Sequence, residues 1–170
     1  DRANSIAPTS DGGYIVAGET GSHDGDVTNN HGIITDDYWV VKLDATGTIQ
    51  WQKTLGGSGD DYANSIVPTS DGGYIVAGET SSNNGDVTNF HGGWDYWVVK
   101  LDATGTIQWQ KTLGGSSSDY ANSIVPTSDG GCIVAGYTRS NDGDVTNNHG
   151  IFTDDYWVVK LDATGTMQWQ

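Results

Sequence analysis

Apolar and polar positions along this chain fall into short runs that never take a helical period, and the same runs return three times. In the middle copy, Ala63–Thr69 reads as a first strand, closed by Ser70-Asp71-Gly72-Gly73, a turn in which glycine supplies positive φ. Tyr74–Thr80 reads as a second strand with apolar residues on both sides, Tyr74 and Val76 against Ile75 and Ala77. Asp95–Asp102 is a third, again two-sided, with Trp97, Val99 and Leu101 against Tyr96 and Val98. Strands apolar on both faces are expected where one sheet is stacked between two others. Thr106–Thr112 differs: Ile107 and Trp109 alternate with Gln108 and Gln110, the pattern of a half-exposed strand at an outer edge. Burial is therefore expected to fall from the inner strands to the outer one.

The repetition sets the architecture. Ala3–Thr20 returns at Ala63–Thr80 and at Ala121–Thr138, and Asp37–Gln52 returns at Asp95–Gln110 and Asp155–Gln170. Tyr14, Tyr74 and Cys132 hold equivalent places, so the offsets are 60 and 58 residues, the second copy being shorter by two between His91 and Tyr96. A fixed period with four strand-like segments predicts an all-β chain built from β-propeller blades. The boundaries are 1–60, 61–118 and 119–170. In a four-stranded antiparallel blade successive connections alternate between its two ends. The short SDGG and DATGT turns then share one end, while Ser81–Trp94 and Leu113–Asp119 share the other. Any binding site is expected among the long loops.

The segment DYWVVKLDATGTIQWQKTLGG, with its Asp-Ala-x-x-Gly-x-x-x-Trp frame, resembles the outer hairpin of pyrroloquinoline-quinone-type propeller repeats. The whole unit, DGGYIVAGET through DYWVVKLD, resembles tandem repeats of large secreted or surface-exposed prokaryotic proteins. The resemblance implies a propeller fold and an extracellular or cell-surface setting. It implies no common activity, and the catalytic centre of the quinoprotein enzymes has no recognisable counterpart here.

Charge narrows the partners. The net charge is −15, with 22 acidic residues against 7 Lys and Arg, and Glu19 and Glu79 are the only glutamates. Asp bonds nearby backbone through its short carboxylate, so this acidity is mainly loop chemistry. It argues against nucleic acid or an anionic membrane as partner, since phosphate recognition needs clustered Lys and Arg. No apolar stretch is long enough for a membrane-spanning helix. The absence of an initiating Met and the start partway through a repeat suggest an excised or processed piece. Cys132, at a place held elsewhere by Tyr14 and Tyr74, is expected to be a small buried strand residue, not a reactive thiol.

Candidate chemistry lies in the long loops. Asp24 and Asp26, Asn84 and Asp86, and Asp142 and Asp144 recur in a GDVTN context, and oxygens on alternate residues are what Ca²⁺ loops use. The Gly that turns an EF-hand loop at its sixth position is Asn here and no Glu follows at the twelfth, so a loop held by Asx turns is the competing expectation. His31, His91 and His149 each precede Gly, and are expected to be turn residues or donors to neighbouring loops, since zinc would require several of them to converge. Trp94 occurs only in the middle loop, where the flanking copies carry Ile33-Ile34-Thr35-Asp36 and Ile151-Phe152-Thr153-Asp154. It is a candidate glycan-stacking platform; the alternative is that Trp94, like Ile33 and Phe152, covers the top of its blade. No enzyme motif is present.

Three blades are too few to close a ring, and each end blade would expose an apolar face. The expectation is a non-enzymatic surface or secreted scaffold that pairs with itself, two chains forming a six-bladed homodimer, or that belongs to a longer chain. A lectin-like binder of glycan or of a surface protein through the long-loop end is the runner-up.

Overall fold

A computed structural model describes residues 1–150 and 153–170. Among these residues all regular structure is β. The first sheet holds β1 (Arg2–Pro8), β2 (Tyr14–Thr20), β3 (Asp37–Leu43) and β4 (Ile49–Leu55). The second holds β5 (Asp61–Pro68), β6 (Tyr74–Thr80), β7 (Asp95–Leu101) and β8 (Ile107–Leu113). The third holds β9 (Asp119–Pro126), β10 (Cys132–Thr138), β11 (Asp155–Leu161) and β12 (Met167–Trp169). Each is an antiparallel meander with strands in chain order. Against the sequence, β5 starts two residues before Ala63, and β8 runs one residue past Thr112, to Leu113. Pro8, Pro68 and Pro126 each close the first strand of a sheet, an edge strand with no ladder bond on its outer side to lose.

The turns follow the chemistry of their residues. Gly12, Gly72 and Gly130 sit at φ near 83–85°, and Asp11, Asp71 and Asp129 bond back to Gly13, Gly73 and Gly131. In the outer hairpins the Asp44 carboxylate accepts from the Thr46 and Thr48 amides, and Asp102 and Asp162 do the same in their copies. Lys42 Nζ reaches Asp11 at 2.8 Å, so both short turns lie at one end of the sheet.

The sheets stack in chain order, and the second is a two-sided slab. Tyr74, Val76, Trp97, Val99 and Leu101 form one core with Ile15, Tyr38 and Val40 of the first sheet. Ile75, Ala77, Tyr96 and Val98 form another with Ile124, Cys132, Val134 and Trp157 of the third. This is the partition of faces that the alternation predicts. Burial does not fall steadily outward, however: β6 and β7 are the most buried, and β5 is only half-buried. An inner edge strand has neighbours on fewer sides than a central one.

A β-bulge at Asn4, Asn64 and Asn122 breaks the alternation of each inner strand. It aims the amide sideways, so Asn4 Nδ2 donates to the Ala63 carbonyl (3.0 Å) and Asn64 Nδ2 to that of Ala121 (2.9 Å). Two further bonds recur at both junctions. Tyr38 Oη donates to the Trp97 carbonyl (2.9 Å) and Tyr96 Oη to that of Trp157 (3.0 Å). Ser5 Oγ and Ser65 Oγ accept from the amides of Ile66 (3.2 Å) and Ile124 (3.3 Å). The rings of these tyrosines lie on the indoles of Trp97 and Trp157 at centroid separations of 4.5 and 4.6 Å.

Candidate functional site

The long loops fasten each sheet to the one before it. In the second copy, Asn84 Oδ1 accepts from the Ser58 amide (2.9 Å), Asp86 Oδ2 from the Gly56 amide (3.3 Å), and the Asp86 amide donates to the Gly56 carbonyl (2.9 Å). In the third, Asp142 Oδ1 takes the Ser116 amide (2.7 Å) and Asp144 Oδ2 the Gly114 amide (3.3 Å). Asp24 and Asp26 are exposed in the first copy, which has no preceding sheet in this chain. Asn29, Asn89 and Asn147 adopt φ of 60–64°, so Asn performs the left-handed turn that the sequence pattern would assign to Gly. Val27, Val87 and Val145 in the same motif are buried, and the last two plug the two cores.

In the second and third copies the motif thus works as a clasp, one side-chain oxygen each of Asn84, Asp86, Asp142 and Asp144 accepting a backbone amide. Among the described residues no three His, Cys, Asp or Glu side chains are placed to share a metal ion, and the bonds in place here are those of a loop held by its own side chains. Chelator is accordingly expected to leave the melting temperature unchanged, whereas Asp86→Ala lowers it by releasing the clasp, at a cost of about 1–3 kcal/mol. A drop on adding EDTA, restored by Ca²⁺, would overturn this.

The histidines belong to the same clasps. His31 donates its amide to Asp37 Oδ2 (2.8 Å) and holds Nδ1 2.7 Å from it, with Nε2 3.8 Å from Asp86 of the next sheet. His91 repeats this with Asp95 (2.6 and 3.1 Å) and Asp144 (3.8 Å). His149 bonds Asp155 through its amide (2.5 Å) and has a largely exposed ring. Of these three, His31 and His91 thus reach the loop of the next copy, and His149 has no next copy in this chain.

Beneath the clasps lie carboxylates that no local sequence pattern marks. Asp37, Asp61, Asp95 and Asp119 are fully buried. Asp37 and Asp61 flank Gly56, and Asp95 and Asp119 flank Gly114, so each junction holds a pair. Asp61 accepts from the Gly57 amide (2.9 Å), Ser82 Oγ (2.8 Å) and Thr80 Oγ1. Asp37 Oδ1 and Asp95 Oδ1 have no partner. Burial pushes Asp61 up to about 7 and Asp95 to about 6, and raises Asp37 and Asp119. Paired carboxylates with raised pKa can do acid–base work, but these are sealed from any substrate.

Trp94 is half-buried and stacked between Tyr62 (5.3 Å) and Tyr120 (6.2 Å), with Tyr120 stacked in turn on Tyr137 (5.0 Å). Two tyrosines therefore already stack on the indole that a pyranose would use. Ile33 is 89% exposed and covers nothing, and Phe152 lies outside the described residues. Next to the stack, between the first two sheets, is a cavity of about 270 Å³ lined by Arg2, Glu19, Asp36, Tyr62 and Glu79, among others. Arg2 pairs with Glu19 at 3.2 Å, and burial pushes Glu79 up to about 8. Cys132 is buried, its thiol pushed up to about 12 by burial, which makes it a packing residue.

No family model matches the chain. It is similar to the Regulatory protein FlaEY of Caulobacter vibrioides, 28% identical over 143 residues, which is 76% of this chain and 14% of that protein. The chain therefore spans a small part of the curated relative it matches. A solved structure of a protein of unknown function from Bacteroides caccae aligns over 99% of this chain and 81% of its own, at 13% identity and a TM-score of 0.28.

Proposed function

We propose that the three sheets are blades of a β-propeller, and that the chain is a non-enzymatic structural and interaction scaffold, extracellular or at the cell surface, which assembles with itself through its two open faces. One observation carries the reading. Ile66 and Ile124 are 2% and 3% exposed, whereas their equivalent Ile6, on the outer face of the first sheet, is 64% exposed. At the other end Tyr38 and Tyr96 are fully buried while Tyr156 is 93% exposed. The same residue type is core wherever a neighbouring sheet exists and surface wherever it does not. Two apolar faces of this kind disfavour a free monomer. Light scattering is expected to give twice the chain mass of 18.0 kDa. A monomer at tens of micromolar that still unfolds cooperatively would sink the proposal.

A further inference from the structure

Resting on that reading, we propose that the open face of the third sheet binds the first sheet of a second copy, head to tail, in the register already used twice inside the chain. Each internal junction is made by the same donors. Tyr38 and Tyr96 donate to tryptophan carbonyls, Asn4 and Asn64 to alanine carbonyls, and Ser5 and Ser65 receive isoleucine amides. The third sheet carries this set again as Tyr156, Asn122 and Ser123, all exposed. The first sheet carries the complementary groups: the carbonyls of Trp39 and Ala3 and the amide of Ile6.

The apolar shapes agree. Trp97 packs on Tyr38 and Trp157 on Tyr96, so the half-exposed Trp39 is the indole left over for Tyr156 of another copy. A cavity of about 440 Å³ lies on that open face, with Asn122, Ser123, Tyr137 and Tyr156 in its wall. Charge agrees as well. Tyr62 at the first junction lies near Asp36 and Glu19, and the residue equivalent to Tyr62 in the first copy is Arg2. At a contact between copies, Arg2 falls opposite Asp154 and Tyr137, the counterparts of Asp36 and Glu19, so a guanidinium meets a carboxylate and an aromatic ring. His149, whose ring is 89% exposed, meets Asp26 as His31 meets Asp86. An unrelated partner would have to reproduce this whole set; a second copy has it already. Two such contacts about a twofold axis leave no open face.

The test is a disulfide across the predicted contact. Ser123→Cys with Ile6→Cys places thiols at the equivalents of Ser65 and Ile124, and is expected to give a covalent dimer on oxidation. Ser5→Cys with Ile66→Cys, across an internal junction, is the control and gives an intrachain bridge. Independently, Tyr156→Phe is expected to raise the dimer dissociation constant roughly 10- to 100-fold by leaving two buried carbonyls unpaired. Tyr38→Phe lowers stability without that change. A dimer by light scattering that forms no interchain disulfide, while the control bridge forms, overturns the head-to-tail contact and leaves self-assembly standing. A monomer overturns both.

Discussion

Lowering the pH from about 8 to about 5 is expected to raise the melting temperature by roughly 10 °C, the reverse of ordinary acid destabilisation. Burial holds the carboxyls of Asp61, Asp95 and Glu79 at about 7, 6 and 8. In the unfolded chain they titrate near 4. Between those values the folded state binds more protons than the unfolded one, so stability falls as pH rises through that window. Even one unit of each raise lying between pH 5 and pH 8 is worth about 4 kcal/mol in sum, and a chain of this length gains about 2–4 °C per kcal/mol. The exposed turn carboxylates act oppositely. Asp71, held at about 2 mainly by Thr69 and Lys100, contributes stability that is lost only as pH falls below its ordinary range. Maximum stability is thus placed near pH 4–5. Differential scanning fluorimetry across pH 4–9 checks it, and a melting temperature that falls from pH 8 to pH 5 sinks it. Asp37→Asn separates the buried pairs from the general repulsion of a chain carrying −15. It removes one charge beside Asp61, can keep an acceptor for His31, and should raise the melting temperature at pH 8 but not at pH 5.

Those pairs mark where the sequence stops being readable. Asp44, Asp102 and Asp162 announce their role locally, because a short carboxylate followed by Ala-Thr-Gly-Thr bonds amides two and four residues on. Asp37 and Asp61 look alike as strand-opening residues, yet both are sealed by a connector and a loop that come from different copies. Their burial is a property of the junction. The two faces of the second sheet were legible because alternation over Tyr74–Ala77 and Tyr96–Leu101 involves only backbone geometry. The bulge left a weaker trace: Ala63 and Ile66 face one core at a spacing of three, odd for a strand. The acidic loops left two readings open, a cation or a loop held by Asx turns, because Asn84 and Asp86 present oxygens that suit either. What meets those oxygens is backbone amide from the preceding connector. Trp94 invited a ligand because its neighbours Tyr62 and Tyr120 lie distant in sequence and adjacent only in the stack.

The bulge supplies the other large effect: Gly78→Ala should cost about 4 kcal/mol or abolish folding, though it adds one methyl to a strand. Displacing the ladder at Asn64 drives the Tyr62 carbonyl over the Gly78 Cα, and a Cβ there would overlap that oxygen while lying 2.8 Å from Tyr38 Oη. The oxygen is backbone and cannot swing aside. Relief requires flattening the bulge, which withdraws Asn64 from the Ala121 carbonyl, or pushing back Tyr38, which breaks its bond to Trp97. Either movement opens a junction between sheets, so the loss exceeds the 1–3 kcal/mol usual for an overpacked core. Gly72→Ala is the control. That residue sits at φ 83° with nothing near its missing Cβ, and should lose only about 1 kcal/mol to backbone strain. Combining Gly78→Ala with Tyr38→Phe discriminates between the two obstacles: if the hydroxyl were the main one, the pair would melt higher than Gly78→Ala alone. With the Tyr62 oxygen as the obstacle, denaturant melts should show the double variant no more stable. Near-wild-type stability of Gly78→Ala would mean that the bulge does not bring the inner strand this close.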